Sequence, residues 1–227
     1  MGLSAPLIAK SASDEVNAMR SVVFGMCGWV VAAGAAEAEL RVRLQDYANV
    51  PAVGLTRAKT VATGILENGG VRVLWADCSP NSERRDALCS IPLGPVDLQL
   101  RILTEEMAKR THRSRHSLGS AMVSGQFPSI ASVFYHRAVE LEARKPGSCA
   151  EILGGILAHE IGHLLLAGHS HSGTGILRGH WGDEDLRMIA CGRLWFTPQQ
   201  AARMVSLVTQ RVHAAQSVAE SSDNSPS

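Results

Sequence analysis

Leu157-Ala158-His159-Glu160-Ile161-Gly162-His163-Leu164-Leu165-Leu166-Ala167-Gly168-His169-Ser170-His171 is the stretch on which both the fold and the chemistry of this chain turn. His159 and His163 are four residues apart, so on a helix they stand one turn apart on one face, where two imidazoles can bind one metal ion. Glu160 lies about 100° further round the helix, beside that ion, where a carboxylate can take a proton from water and return it to a leaving amine. A short pattern of this kind arises by chance, so its flanks decide. From Ile152 to Leu166 the only charged residue is Glu160, which suits a buried helix with one polar face. Two His and a Glu that were merely core residues would each need a buried partner of their own. The reading is a hydrolytic metal site, with zinc as the expected ion.

Outward from the motif, Pro146-Gly147 breaks the chain and Ser148 or Cys149 opens the helix; Gly168 is its expected C-terminal cap. Gly154 and Gly155 each weaken a helix by roughly 1 kcal/mol relative to Ala, which implies close packing of the helix backbone on a sheet. Upstream, strand and helix alternate. Leu40, Val42 and Leu44 alternate with charged residues as a half-buried strand, and Pro51 to Glu67 has helical spacing with Asn68-Gly69-Gly70 as its stop. Val71 to Trp75 and Val96 to Leu103 read as two further strands. Lys109 to His116 is basic and reads as a solvated loop, followed by short strands at Gly119 to Ser124 and Ile130 to His136. Downstream, Thr197-Pro198 starts a final amphipathic helix, and residues 216–227, rich in Ser, Asp, Asn and Pro, read as a disordered tail.

A chain of 227 residues with 45% apolar content and a net charge of +1 can bury one substantial core and lacks the basic excess that phosphate neutralisation requires. No nucleic-acid partner is therefore expected. Arg20 precedes an apolar run, Val22 to Ala33, too short to span a bilayer, and Ala36-Glu37-Ala38 fits a signal-peptide cleavage site. Residues 1–38 thus read as a signal peptide, with Met19 as an alternative start, and no membrane insertion is expected once it is removed. Removal takes Cys27 and leaves Cys78, Cys89, Cys149 and Cys191, for which three pairings exist. Cys78 with Cys89 would close the polar loop between them, leaving Cys149 with Cys191.

In this arrangement the chain resembles the metzincin clan of zinc metallopeptidases over roughly residues 39–215, and His159 to Trp181 is similar to small exported bacterial proteins with a metzincin-like motif. The resemblance implies an α/β (α+β) fold: a twisted mixed sheet with an antiparallel edge strand, a backing helix, an active-site helix and a small C-terminal helical part. It also implies Zn2+, Glu160 as general base, and a peptide or protein substrate bound antiparallel to the edge strand, here expected near Ile130 to His136. Metzincins read His-Glu-x-x-His-x-x-Gly-x-x-His. Leu166 stands at the Gly position, His169 holds the third-His position, and Gly168-His169-Ser170-His171 repeats the Gly-x-x-His step two residues later. His171 is favoured as third ligand, with His169 the alternative. Leu177 stands where the clan has the Met of a turn beneath the metal. Tyr47 and Tyr135 both precede the motif, so His180 or Arg178 would have to replace a Tyr near that turn.

Two other readings stay open: a thermolysin-like site completed by Asp183 or Glu184, and an exported module that binds metal without catalysis.

Overall fold

Five strands pair into one sheet in the computed structural model, which describes residues 39–223 apart from 83–84, 123–124, 128, 144–146 and 169–170. The signal-like segment 1–38 and His169 lie outside the described residues. Strand β1 (Glu39–Asp46) lies between β2 (Arg72–Asp77) and β3 (Asp97–Leu103), parallel to both, and β3 pairs in parallel with β5 (Ile130–Phe134). Strand β4 (Gly119–Met122) closes the order β2-β1-β3-β5-β4 as an antiparallel edge. The edge is therefore β4, not the Ile130 to His136 segment: that strand is richer in β-formers because it is interior, covered by neighbours on both sides.

Parallel neighbours need a crossover, and helix α1 (Ala52–Asn68) supplies the one between β1 and β2. Alternation along the strands sends Leu40, Val42, Leu44, Leu98, Leu100, Ile102, Ala131 and Val133 into one core with α1 and with α4 (Cys149–Leu166). The opposite face carries Arg41, Arg43, Gln99 and Arg101. There Asp97, 1% exposed, holds Arg41 at 3.0 Å and Arg43 at 3.2 Å, and so pins the loop before β3 to β1.

Two short helices have no visible sequence period. Helix α2 (Glu105–Lys109) is capped by the Thr104 hydroxyl, which accepts from Met107 N–H at 3.2 Å. Helix α3 (Tyr135–Glu142) begins where the β-forming run ends, because Ala138 turns fully into the core. Helices α5 (Asp183–Ala190) and α6 (Pro198–Asp223) complete the chain. Helix α6 continues over Gln216 to Asp223, residues whose composition had marked them as a tail.

Helix α4 is the central element. Ser148 and Glu151 form a reciprocal capping box at its start. It is long and apolar enough to cross a membrane, but 78% of it is buried inside the protein, as a core helix is. Each Leu or Ile fully buried along it contributes about 1.5–3 kcal/mol. Its glycines serve helix packing rather than the sheet. A Cβ on Gly154 would meet the Ala58 carbonyl oxygen of α1 at 2.6 Å, and one on Gly155 would meet Ile189 of α5 at 3.0 Å.

The left-handed residue that ends α4 is Ala167, with φ 48°, and not Gly168. Arg211 of α6 is 2% exposed and donates to the Leu164 carbonyl at 3.4 Å and the Pro95 carbonyl at 2.9 Å. A cation against the last carbonyls of a helix is favourable for its dipole, so α6 anchors the end of α4 from which the next loop departs.

Cys78 and Cys89 form a disulfide, whereas Cys149 and Cys191 are free, which corrects the expected second pair. Cys149 starts α4 and hydrogen-bonds Tyr135; Cys191 is exposed beyond α5, beside Gly192 and Trp195. The Cys78–Cys89 disulfide points to an oxidising compartment.

Candidate metal centre and cleft

Helical geometry alone puts His159 and His163 side by side, and their rings meet edge to face with centroids 4.7 Å apart. Both are buried, at 4% and 5% exposure. After Ala167 the chain doubles back, and His163 binds Gly168 twice: its Nδ1 lies 2.7 Å from the Gly168 carbonyl, and its own carbonyl accepts from Gly168 N–H at 3.3 Å. The next turn is closed by Ser172 N–H to the Leu177 carbonyl at 2.9 Å and depends on Gly175 at φ 74°. A Cβ at Gly175 would also come within 2.6 Å of the Trp195 carbonyl.

That loop brings His171 to ring-centroid distances of 5.4 Å from His159 and 5.1 Å from His163. One ligand atom from each of the three lies within 4.8 Å of the others, a group able to hold a metal ion. The position of Gly179 fits this placement, since a Cβ there would crowd the His171 ring at 3.1 Å.

The donor chemistry fits a cation. His159 Nδ1 lies 2.7 Å from the Ile176 carbonyl, as His163 Nδ1 does from Gly168. A carbonyl only accepts, so both Nδ1 atoms carry the proton and both Nε2 atoms present lone pairs. Those Nε2 atoms face each other at 3.0 Å. A proton shared between them would charge a buried ring. Burial, then the neighbouring His163 and His171, opposes that charge and holds His159 well below the usual imidazole range, at about 3. A metal ion satisfies both lone pairs without a proton. Three imidazoles suit zinc, and three protein ligands leave one position open.

Glu160 is 4% exposed and lies against β4, so closely that a Cβ on Gly119 would be 2.6 Å from its Oε1. Burial pushes its carboxyl up to about 8, against a smaller opposing pull from Arg113. Glu160, the three histidines and β4 residues Gly119 to Ala121 line a cleft of about 560 Å³. A second cavity of about 520 Å³ shares His163 and His171 with it.

Of the other sequence candidates, His180 lines the cleft, whereas Arg178 pairs with Asp185 at 3.1 Å. Asp183 and Glu184 stand in the first turn of α5, and Glu184 pairs with Arg187; neither belongs to the histidine group. Leu177 is 1% exposed, and a Cβ on Gly162 of α4 would meet it at 3.1 Å. Arg113, Ser114 and His116, in the stretch that read as a solvated loop, instead border the cleft. Nothing in that run of basic residues sets it apart from any exposed charged loop; only the neighbouring edge strand brings it there.

No family model matches the chain, and no curated protein matches it. Among solved structures it is similar to a zinc-dependent peptidase from Methanocorpusculum labreanum, at 16% identity and a TM-score of 0.44, over 72% of this chain and 99% of the other. It is also similar to archaemetzincin from Methanopyrus kandleri, at 16% identity and a TM-score of 0.42, over 81% of this chain and 99% of the other.

Proposed function

We propose that this chain is an exported zinc-dependent peptidase in which His159, His163 and His171 hold the metal and Glu160 is the general base. The observation that carries the reading is the convergence of three imidazole nitrogens within 4.8 Å, at a cleft that also contains the buried carboxyl of Glu160. Zinc, when bound, supplies Lewis acidity at the scissile carbonyl and makes water a better nucleophile at neutral pH.

The residues of the chain do the rest. The carbonyls of Ile176 and Gly168 fix the His159 and His163 tautomers. Glu160 takes a proton as the water oxygen attacks the carbonyl carbon, and delivers it to the amine nitrogen as the C–N bond breaks. Its burial keeps it a stronger base than an exposed carboxylate. The open edge of β4 offers backbone groups to which an extended peptide can add as one more strand. The Cys78–Cys89 disulfide supports export.

The test is zinc titration together with a broad peptide library at neutral pH. Wild type and Glu160→Gln should each bind one zinc per chain, while the variant loses about 10²–10⁴-fold in hydrolysis. His171→Ala should weaken zinc binding far more than His169→Ala. Equal hydrolysis by Glu160→Gln, or the reverse ranking of the two His variants, would overturn the assignment. Tight zinc binding with no cleavage by the wild type would favour the non-catalytic metal-binding module instead.

A further inference from the structure

The charged and imidazole side chains among the described lining residues of the cleft are one carboxylate, Glu160, one guanidinium, Arg113, and five histidines. Arg113 and His116, both exposed, come from the loop before β4; His180, also exposed, follows the turn that carries His171. Among the described lining residues Glu160 is the sole acid. The adjoining cavity adds Arg203 of α6, and no acid is among its described lining residues.

Overall composition does not explain this bias, since the chain has 22 Lys and Arg against 21 Asp and Glu. Nearby acids are engaged elsewhere: Glu105 with Lys109, Glu140 with Arg137, and Asp185 with Arg178. Among the described residues neither Arg113 nor Arg203 is in an ion pair. Because the one acid is buried while Arg113 is exposed, the rim presents positive charge to an incoming ligand, and a guanidinium fork matches a carboxylate in shape as well as charge.

We propose that the cleft selects peptides bearing a carboxylate next to the bond to be hydrolysed, with Arg113 as the specificity-determining residue. The carboxylate is either an acidic side chain or a free C-terminus. The inference rests on the peptidase reading above, but its test separates the two.

The probes are fluorescein-labelled hexapeptides of Ala with Glu, Gln or Lys at the fourth position, each with a free and an amidated C-terminus. Binding to the full zinc-loaded Glu160→Gln chain is read by anisotropy, and hydrolysis by the wild type is read separately. Central Glu should bind about five- to tenfold more tightly than Gln, and Lys more weakly still, with the preference shrinking as salt rises. A preference that follows amidation instead of the central residue supports the C-terminal carboxylate as the group read. Arg113→Glu, at an exposed position, should keep its zinc and reverse the order in favour of Lys.

Equal binding of all six peptides, no binding of any, or an unchanged order in Arg113→Glu overturns the proposal. Charge-selective binding without cleavage would leave the selection standing and remove the peptidase reading. Cleavage without charge selection would do the opposite.

Discussion

Gly119→Ala should damage catalysis while sparing the metal. The added methyl would sit 2.5 Å from the Ser132 carbonyl oxygen of β5 and 2.6 Å from Oε1 of Glu160. An ordinary contact at that carbon begins near 3.4 Å, so about 0.8–0.9 Å must be found. The Ser132 side of the clash is backbone and is held by the β4–β5 ladder, in which Gly119 pairs with Val133 and Ser120 with Ser132. Either the edge strand lifts or the Glu160 carboxyl turns aside. Overpacking of this kind costs about 1–3 kcal/mol, which lowers Tm by roughly 3–9 °C in a domain of this size. A shift of about 1 Å in a proton-transfer group can cost on the order of a hundredfold in rate. His159, His163 and His171 lie on other elements, so zinc stoichiometry and affinity should stay within about threefold of wild type. The assays are zinc titration, thermal unfolding and hydrolysis of one library substrate. A variant that retains full activity and Tm would show that β4 does not press on Glu160, and the account of how the base is positioned would fall. Parallel loss of zinc and activity would refute the claim that the strand acts on Glu160 alone.

Two further outcomes follow from the same structure. In metal-free protein Glu160 has its folded-state pKa raised from 4.5 to about 8, chiefly by burial, so the stability it lends as an uncharged acid is complete below about 4.5 and is lost as pH rises through about 8. Chelator-treated wild type should therefore unfold more easily in urea as pH rises across that window, and Glu160→Gln should lack that part of the slope; an identical slope in both proteins would rule out Glu160 as its source. In thiol mapping, Cys149 and Cys191 should be alkylated without reduction, and Cys78 and Cys89 only after it; removing the disulfide, with its sequence separation of 11, should cost about 3 kcal/mol on loop-entropy grounds.

The parts of the fold that were legible in the sequence are those whose order is local. Strands β1 and β3 show their alternation because one face is core and the other polar, and α4 announces itself through the Ser148–Glu151 cap and its apolar length. The edge is not legible because β-propensity reports burial on both sides rather than strand position, and β4, with the sequence Gly-Ser-Ala-Met, has almost none of it. Its Gly119 leaves room that a Cβ would take from the Glu160 carboxyl. The second cysteine pair was wrong for a related reason, since even arithmetic says nothing about which way Cys149 faces. Arg113 is not legible in the sequence because its place at the cleft is set by the fold, not by a neighbour in the chain.

The Leu166 departure from the metzincin pattern amounts to a longer path between His163 and His171. Leu166 remains in α4, and Ala167 then takes the left-handed conformation that Gly would take more cheaply. That turn is held from both sides. Gly168 bonds the carbonyl and the ring of His163 at once, and Arg211 grips the Leu164 carbonyl. From this fixed exit, a loop longer than the clan pattern can carry His171 back over His163. Leu177, at the Met position, fills the floor against Gly162, and Gly162 must be Gly because a Cβ there would meet Phe196 at 2.6 Å. The floor is therefore packed and the loop that carries His171 anchored. The bonds that tie Gly168 to His163 and the Nε2 atoms 3.0 Å apart suit a centre that holds a metal.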